Sequence, residues 1–226
     1  MRLLALDTSS AAVTAAVHDG GAVLAERSVL DARRHAELLA PTIAEVLAAA
    51  GLTPAGLTAV ITGVGPGPFT GLRVGVVTAR VLGAVLGVPM YGICSLDALA
   101  EAAVASGHLP GPEFLVAADA RRKEVYWARY ATVGGVATRV DGPYVAAAAD
   151  VPRHGLPVVG RGAVLYPDAL GRAFEPLEPS AAALATIAAR ALRQGAVGPG
   201  VLLTPEPLYL RRPDAVEPGG RKRVLQ

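Results

Sequence analysis

The run Gly65-Pro66-Gly67-Pro68-Phe69-Thr70-Gly71-Leu72-Arg73-Val74-Gly75 limits what this chain can fold into more than any other segment. It follows the apolar, strand-like segment Ala59-Val60-Ile61-Thr62 and opens directly into a helical stretch. Glycine in such a loop supplies backbone angles closed to other residues, and proline fixes its own. The spacing predicts a helix over Thr70–Leu86, stopped by Gly87, with Gly71, Gly75, Ala79 and Gly83 four residues apart on one face. Each glycine inside a helix costs about 1 kcal/mol against alanine, so three cost about 3 kcal/mol. Such a face lets a neighbouring backbone come very close.

The rest of the chain divides into recognisable pieces. Leu3–Leu6 is a short apolar run ending at Asp7-Thr8-Ser9-Ser10, and it reads as a first buried strand. Ala12–Val17 and Ala22–Val29 flank Asp19-Gly20-Gly21, the pattern of a hairpin. Residues 34–50 are predicted helical, with Leu38, Leu39, Ile43, Val46 and Leu47 on the apolar face and Gly51 as the stop. Pro41 predicts a kink or a late start in that helix. Met90–Ile93 reads as a strand, and Ser95 as the cap of a helix over Leu96–Ala105.

The pattern then begins again. Phe114-Leu115-Val116-Ala117-Ala118-Asp119 is a second apolar run ending in an aspartate. Glu124–Thr132, the turn Gly134-Gly135 and Val136–Asp141 make a second hairpin, and Ser180 caps a predicted helix that Gly195 stops. One unit of strand, hairpin, helix, strand and helix is used twice. The segment from Pro205 is Pro-rich and predicted irregular.

The chain has 226 residues, enough for one large domain or two small ones, and 52% of them are apolar, enough for a sizeable core. Its apolar runs are broken by Gly, Pro or charge well short of the roughly 18 residues a membrane span needs, and the apolar start is too short for a signal peptide. A single cysteine, Cys94, allows no internal disulfide and fits a reducing cytoplasm. The formal charge is +2, and Arg211, Arg212, Arg221, Lys222 and Arg223 stand against only Asp214 and Glu217 in the last sixteen residues. The body of the chain therefore lacks the basic surplus of an autonomous nucleic-acid binder. Two short basic stretches, Arg121-Arg122-Lys123 and Arg221–Arg223, could touch nucleic-acid phosphates or simply be solvated.

Several groups invite a chemical reading. A loop feeding a helix N-terminus offers free N–H groups to phosphate, but no Lys-Ser or Lys-Thr follows Gly71, so this is not a Walker loop. A tight strand-to-helix turn is the simpler account of it. Asp7, Thr8, Ser9 and Asp119 could bracket a nucleotide, or the aspartates could cap backbone N–H groups. His18, His35, His108 and His154 are scattered and form no set with ligand spacing. Cys94 reads as a small core residue.

The duplicated unit, with its strand-end aspartates, resembles the architecture shared by actin, hexokinase and the sugar kinases. More specifically, the string G-P-G-P-F-T-G-L-R-V-G resembles the signature of the TsaB (YeaZ) family, with Pro68 where that family typically has Ser. The opening Leu4-Ala5-Leu6-Asp7-Thr8-Ser9, Arg34-His35-Ala36-Glu37-Leu38-Leu39 before a Pro, Asp119-Ala120-Arg121 with Glu124-Val125-Tyr126-Trp127, and the closing Pro207-Leu208-Tyr209-Leu210-Arg211 resemble the family in the same order. The resemblance spans nearly the whole chain.

It implies an α/β protein of two tandem actin- and hexokinase-like (ribonuclease H-like) lobes, residues 1–106 and 107–226. It implies an accessory, non-catalytic subunit of the bacterial machinery that builds threonylcarbamoyladenosine on tRNAs reading codons that begin with A. The expected partners are the catalytic paralogue TsaD and the ATPase TsaE, with tRNA reached through the complex, a homodimer when alone, and no cofactor or membrane. The catalytic relative's two metal-binding histidines align here with Ser95 and Leu99. The expected docking face comprises Leu38, Leu39, Gly71, Leu72, Arg73, Gly75, Val76, Ala79 and Arg80. A small-metabolite kinase of the same superfamily, a metallopeptidase-like protein and a free-standing tRNA-binding module are the competing readings.

Overall fold

Leu3–Asp7 (β1) is buried on both faces because its residues are apolar at odd and even positions alike. It pairs antiparallel with Ala12–His18 (β2), which pairs antiparallel with Val23–Leu30 (β3). Its other edge pairs parallel with Ala59–Gly63 (β4), which pairs parallel with Met90–Ile93 (β5). A second sheet repeats the plan. Glu113–Asp119 (β6), Glu124–Val133 (β7) and Val136–Ala147 (β8) are antiparallel neighbours, and β6 continues in parallel through Val158–Val159 (β9) to Ala173–Phe174 (β10). The strand orders, β3-β2-β1-β4-β5 and β8-β7-β6-β9-β10, are the same. The α/β class with two lobes of one architecture therefore stands. The computed structural model describes residues 1–195 and 201–211, apart from the side chain of Phe69. The basic stretch Arg221–Arg223 lies outside the described residues.

Side-chain alternation along β1 assigns the layers of the first sheet. Leu4 and Leu6 join the core under His35–Ala49 (α1) and Phe69–Leu86 (α2), with Leu39, Ile43, Val46, Val60 and Ala79. Leu3 and Ala5 join the opposite core under Ala181–Arg193 (α6), with Ile61, Leu184, Ile187 and Ala188. Thus α6 follows the second sheet in the chain but covers the first. The helix after the first sheet, Ser95–Ser106 (α3), does the reverse: Leu96, Leu99, Ala100 and Ala103 pack with Phe114, Val116, Tyr126 and Tyr130. Arg161–Leu165 (α4) and Pro167–Leu170 (α5) close the other face of the second sheet. The α3–α6 exchange is fastened by Arg190, whose two guanidinium nitrogens donate to Glu101 at 2.6 and 3.1 Å.

Two local expectations need correction. The α1 helix runs through Pro41 without a break. Pro41 faces solvent, and Leu39, Ile43, Val46 and Leu47 hold both halves of the helix on the sheet, which offsets one missing backbone bond. Ser95 is the first residue of α3 rather than its cap, because its hydroxyl is engaged elsewhere. At α6 the expected cap is present, with Ser180 Oγ accepting from the Ala183 amide at 3.1 Å. No helix among the described residues is long and apolar enough to cross a membrane.

Candidate functional site

The small face of α2 turns inward onto the end of β1. A Cβ at Gly71 would lie 2.7 Å from the Thr8 carbonyl oxygen, and one at Gly75 would lie 2.6 Å from Thr8 Oγ1. Thr8 Oγ1 occupies that space, donating to the Gly71 carbonyl at 2.7 Å and accepting from the Gly75 amide at 2.9 Å. Further along, Gly83 abuts the Met90 side chain and Gly67 abuts the Ser9 backbone. Gly67, Gly71 and Gly75 therefore bring this helix and its loop against the end of the chain's own first strand, and Gly83 brings it against β5.

Asp7 sits behind this contact, 1% exposed. Its Oδ1 accepts from the Ser9 amide at 2.6 Å and the Ser9 hydroxyl at 2.7 Å, and its Oδ2 accepts from the Ser95 hydroxyl at 2.6 Å. Burial pushes this carboxyl above the usual carboxylate range, against the hydrogen bonds from Ser95 and Ser9. The Ser95 oxygen also accepts from the Gly65 amide at 3.1 Å, so one hydroxyl joins β1, the Gly-Pro loop and α3. In the second lobe Asp119 Oδ1 accepts from the Arg121 amide at 2.7 Å, the same capping of the strand end.

A cleft of about 620 Å³ opens where the two strand ends face each other. Thr8, Ser9, His35 and Gly71 line it from one lobe, and Asp119, Arg121, Arg161 and Glu178 from the other. Of the four residues assigned to a nucleotide cleft, Thr8, Ser9 and Asp119 line this space, whereas Asp7 is buried behind it. The charges on its second-lobe wall are paired across short spans, Arg121 with Asp119 and Arg161 with Glu178. The His35 ring bonds the Ser10 carbonyl at 2.7 Å, tying the start of α1 to the cleft wall.

The nine residues assigned to a docking face fare differently. Only Arg73 and Arg80 are exposed, and Leu38 is half-buried. Leu39, Gly71, Leu72, Gly75, Val76 and Ala79 are buried in the chain's own core, which corrects their assignment to an outward surface. Leu72 and Val76 lie about 100° round the helix from Gly71 and Gly75, where Val64, Leu203 and Leu208 pack against them. The apolar groups that α2 does present outward are Val77, Val81 and Val85, at 57%, 56% and 79% exposure.

Ser95 and Leu99, the positions aligned with metal ligands, are both buried, Leu99 within the second lobe's core. Among the described residues no group of three or more His, Cys, Asp or Glu is gathered where it could hold an ion. Cys94 is fully buried, and burial raises its thiol to about 12. The Arg121-Arg122-Lys123 turn holds three consecutive left-handed residues, φ 62°, 54° and 63°.

Sequence reasoning missed the role of the closing segment. Leu203 exchanges two backbone hydrogen bonds with Gly92 at 2.8 Å, and the Leu208 amide donates to the Val64 carbonyl at 2.7 Å. Arg73 Nε donates to the Tyr209 hydroxyl at 2.8 Å. The run Pro207-Leu208-Tyr209-Leu210-Arg211 is plain in the sequence, but its docking site combines both lobes and no local period announces it.

Comparison with known proteins gives a consistent set. A family model described as TsaD, tRNA N6-adenosine threonylcarbamoyltransferase, matches residues 29–163. An uncharacterized protein of Mycobacterium tuberculosis (strain ATCC 25618 / H37Rv) is 48% identical over 219 residues, covering 94% of this chain and 93% of that protein. The tRNA threonylcarbamoyladenosine biosynthesis protein TsaB of Escherichia coli (strain K12) is 35% identical over 130 residues, which span 58% of this chain and 55% of that protein. The solved structure of YeaZ from Pseudomonas aeruginosa superposes with a TM-score of 0.78 at 29% identity, covering 92% of this chain and 99% of that one. A second Pseudomonas aeruginosa structure, described as similar to peptidase YEAZ, gives a TM-score of 0.79 at 27% identity over 93% of this chain and 99% of that one.

Proposed function

Because this chain belongs to the family whose model is described as TsaD, and within it is of the TsaB (YeaZ) type, we propose that it is a non-catalytic accessory subunit in the synthesis of threonylcarbamoyladenosine on tRNA. In this reading it docks the catalytic paralogue TsaD, helps recruit the ATPase TsaE, and meets tRNA only through the assembly. Along the chain its lobes divide near residue 106, with α3 and α6 exchanged between the two sheets, and the first lobe carries the docking face.

The observation that carries the docking role is the division of labour on α2. Its glycine seam is consumed inside the protomer, while Val77, Val81 and Val85 form an exposed apolar stripe with the exposed cations Arg73 and Arg80 along one side of it. A row of exposed aliphatic groups rimmed by charge marks a protein-binding surface. When the chain is alone the same stripe favours a symmetric homodimer. The interface residues are thus Val77, Val81 and Val85 with Arg73 and Arg80, rather than the buried Leu72 and Val76.

The non-catalytic role is supported by how the conspicuous polar groups are used. Asp7, Thr8, Ser9 and Ser95 spend their hydrogen bonds on backbone and on one another. The test is reconstitution with purified TsaD, TsaE, ATP, unmodified tRNA and a separate activated threonylcarbamoyl donor. Modification that requires this chain, with none from the chain alone, is expected. Modification by the lone chain at the rate of the full set refutes the reading.

A further inference from the structure

We propose that residues 202–211 are an interlobe clasp that sets the width of the cleft. After α6 the chain returns along the free edge of β5, where Leu203 and Gly92 exchange backbone hydrogen bonds as an isolated antiparallel bridge. The site is made for it: any Cβ at Gly92 would lie 2.5 Å from the Thr204 carbonyl oxygen and from Val64 Cγ1. Leu203 and Leu208 then pack on the small cluster of Val64, Leu72 and Val76, beneath the Gly-Pro loop and α2. Leu208 reaches the core of the second lobe as well, as does Leu210.

Polar contacts fix both ends. On the first lobe Tyr209 accepts from Arg73, whose guanidinium also lies 5.6 Å from the centre of the tyrosine ring. On the second lobe Arg211 pairs with Glu124 and donates to the Ala120 carbonyl at 3.3 Å. Ala120 stands between Asp119 and Arg121, and Arg73 stands between Gly71 and Val74. All four of these neighbours line the cleft. The segment therefore grips each cleft wall within a residue or two of the cavity. The α3–α6 exchange joins the lobes away from the residues that line the cleft, so without this segment hinge motion about that exchange would change the separation of the cleft walls.

The clasp is tested by spin-label distance measurements between Ala44→Cys on α1 and Val140→Cys on β8, both exposed, in a Cys94→Ala background. The otherwise unmodified chain is expected to give one narrow distribution. Tyr209→Ala combined with Arg211→Ala is expected to broaden it and to speed exchange of the Leu208 amide by about tenfold or more. An unchanged distribution in that folded variant overturns the clasp. Amide exchange of the unmutated protein supplies an independent test should the double variant fail to fold. The Gly92, Leu203 and Leu208 amides are expected to be protected and to open together, and exchange of Leu208 at the rate of unstructured chain contradicts the clasp.

Discussion

The Ser95 hydroxyl donates to Asp7 Oδ2 at 2.6 Å, joining residues 88 positions apart at the point where β1, the Gly-Pro loop and α3 meet. Both residues are about 1% exposed. Replacing Ser95 with Ala deprives a buried carboxylate and the Gly65 amide of a partner at once. A buried group left unsatisfied costs about 1–3 kcal/mol, so Ser95→Ala is expected to destabilise by at least that much. The drop in the urea unfolding midpoint checks it.

The two faces of α2 separate folding from docking. Gly75→Leu drives a side chain into Thr8 Oγ1 and its two hydrogen bonds. Overpacking of a tight contact costs about 1–3 kcal/mol, and here hydrogen bonds are lost as well, so a large fall in melting temperature is expected. Val81→Glu, at 56% exposure, is expected to stay within about 0.5 kcal/mol of the parent in stability. Thermal melts of the two variants side by side check the contrast.

Cys94 gives a prediction with a defined pH sign. Its thiol is raised by burial to about 12 from an ordinary 9.0. In the unfolded chain the thiol ionises as pH passes 9.0, while in the folded chain it keeps its proton. Stability from this group is therefore complete below 9.0 and falls as pH rises toward 12. The native thiol is expected to resist a disulfide reagent at pH 8 and to react fully in urea. Cys94→Ala is expected to lessen the loss of stability between pH 8 and 10.

Much of this architecture was readable in the residues. The β5 span Met90–Ile93 matches its expected limits, and α2 ends at Leu86 before a left-handed Gly87 as its spacing requires. The repeated apolar run ending in aspartate, followed by a Gly-Gly hairpin, announced two copies of one sheet. What escaped has physical causes. Strands of two residues, β9 and β10, are too short to show a period. The exchange of α3 and α6 between sheets is a tertiary choice, since an amphipathic helix specifies a face but not the surface it meets. For the same reason the spacing of Gly71, Gly75, Ala79 and Gly83 revealed one face of α2 without saying that it pointed inward. Leu72 and Val76 meet Leu203 and Leu208 from far along the chain, a contact that no local spacing announces.

The cleft makes its own prediction. Arg161 pairs with Glu178 and Arg121 with Asp119, so the cationic groups on its second wall are already neutralised. Glu178→Gln is expected to leave the fold intact and to strengthen retention of inorganic triphosphate by releasing Arg161. Equal, negligible heats for both proteins in titration calorimetry would contradict it.

The most direct test of the whole account is a binding titration of the purified chain against purified TsaD, repeated with the folded triple variant Val77→Glu, Val81→Glu, Val85→Glu. The account predicts a stable heterodimer with the parent chain and at least a hundredfold weaker association with the variant, which is about 2.7 kcal/mol. Equal affinities, with the variant's melting temperature unchanged, would contradict it.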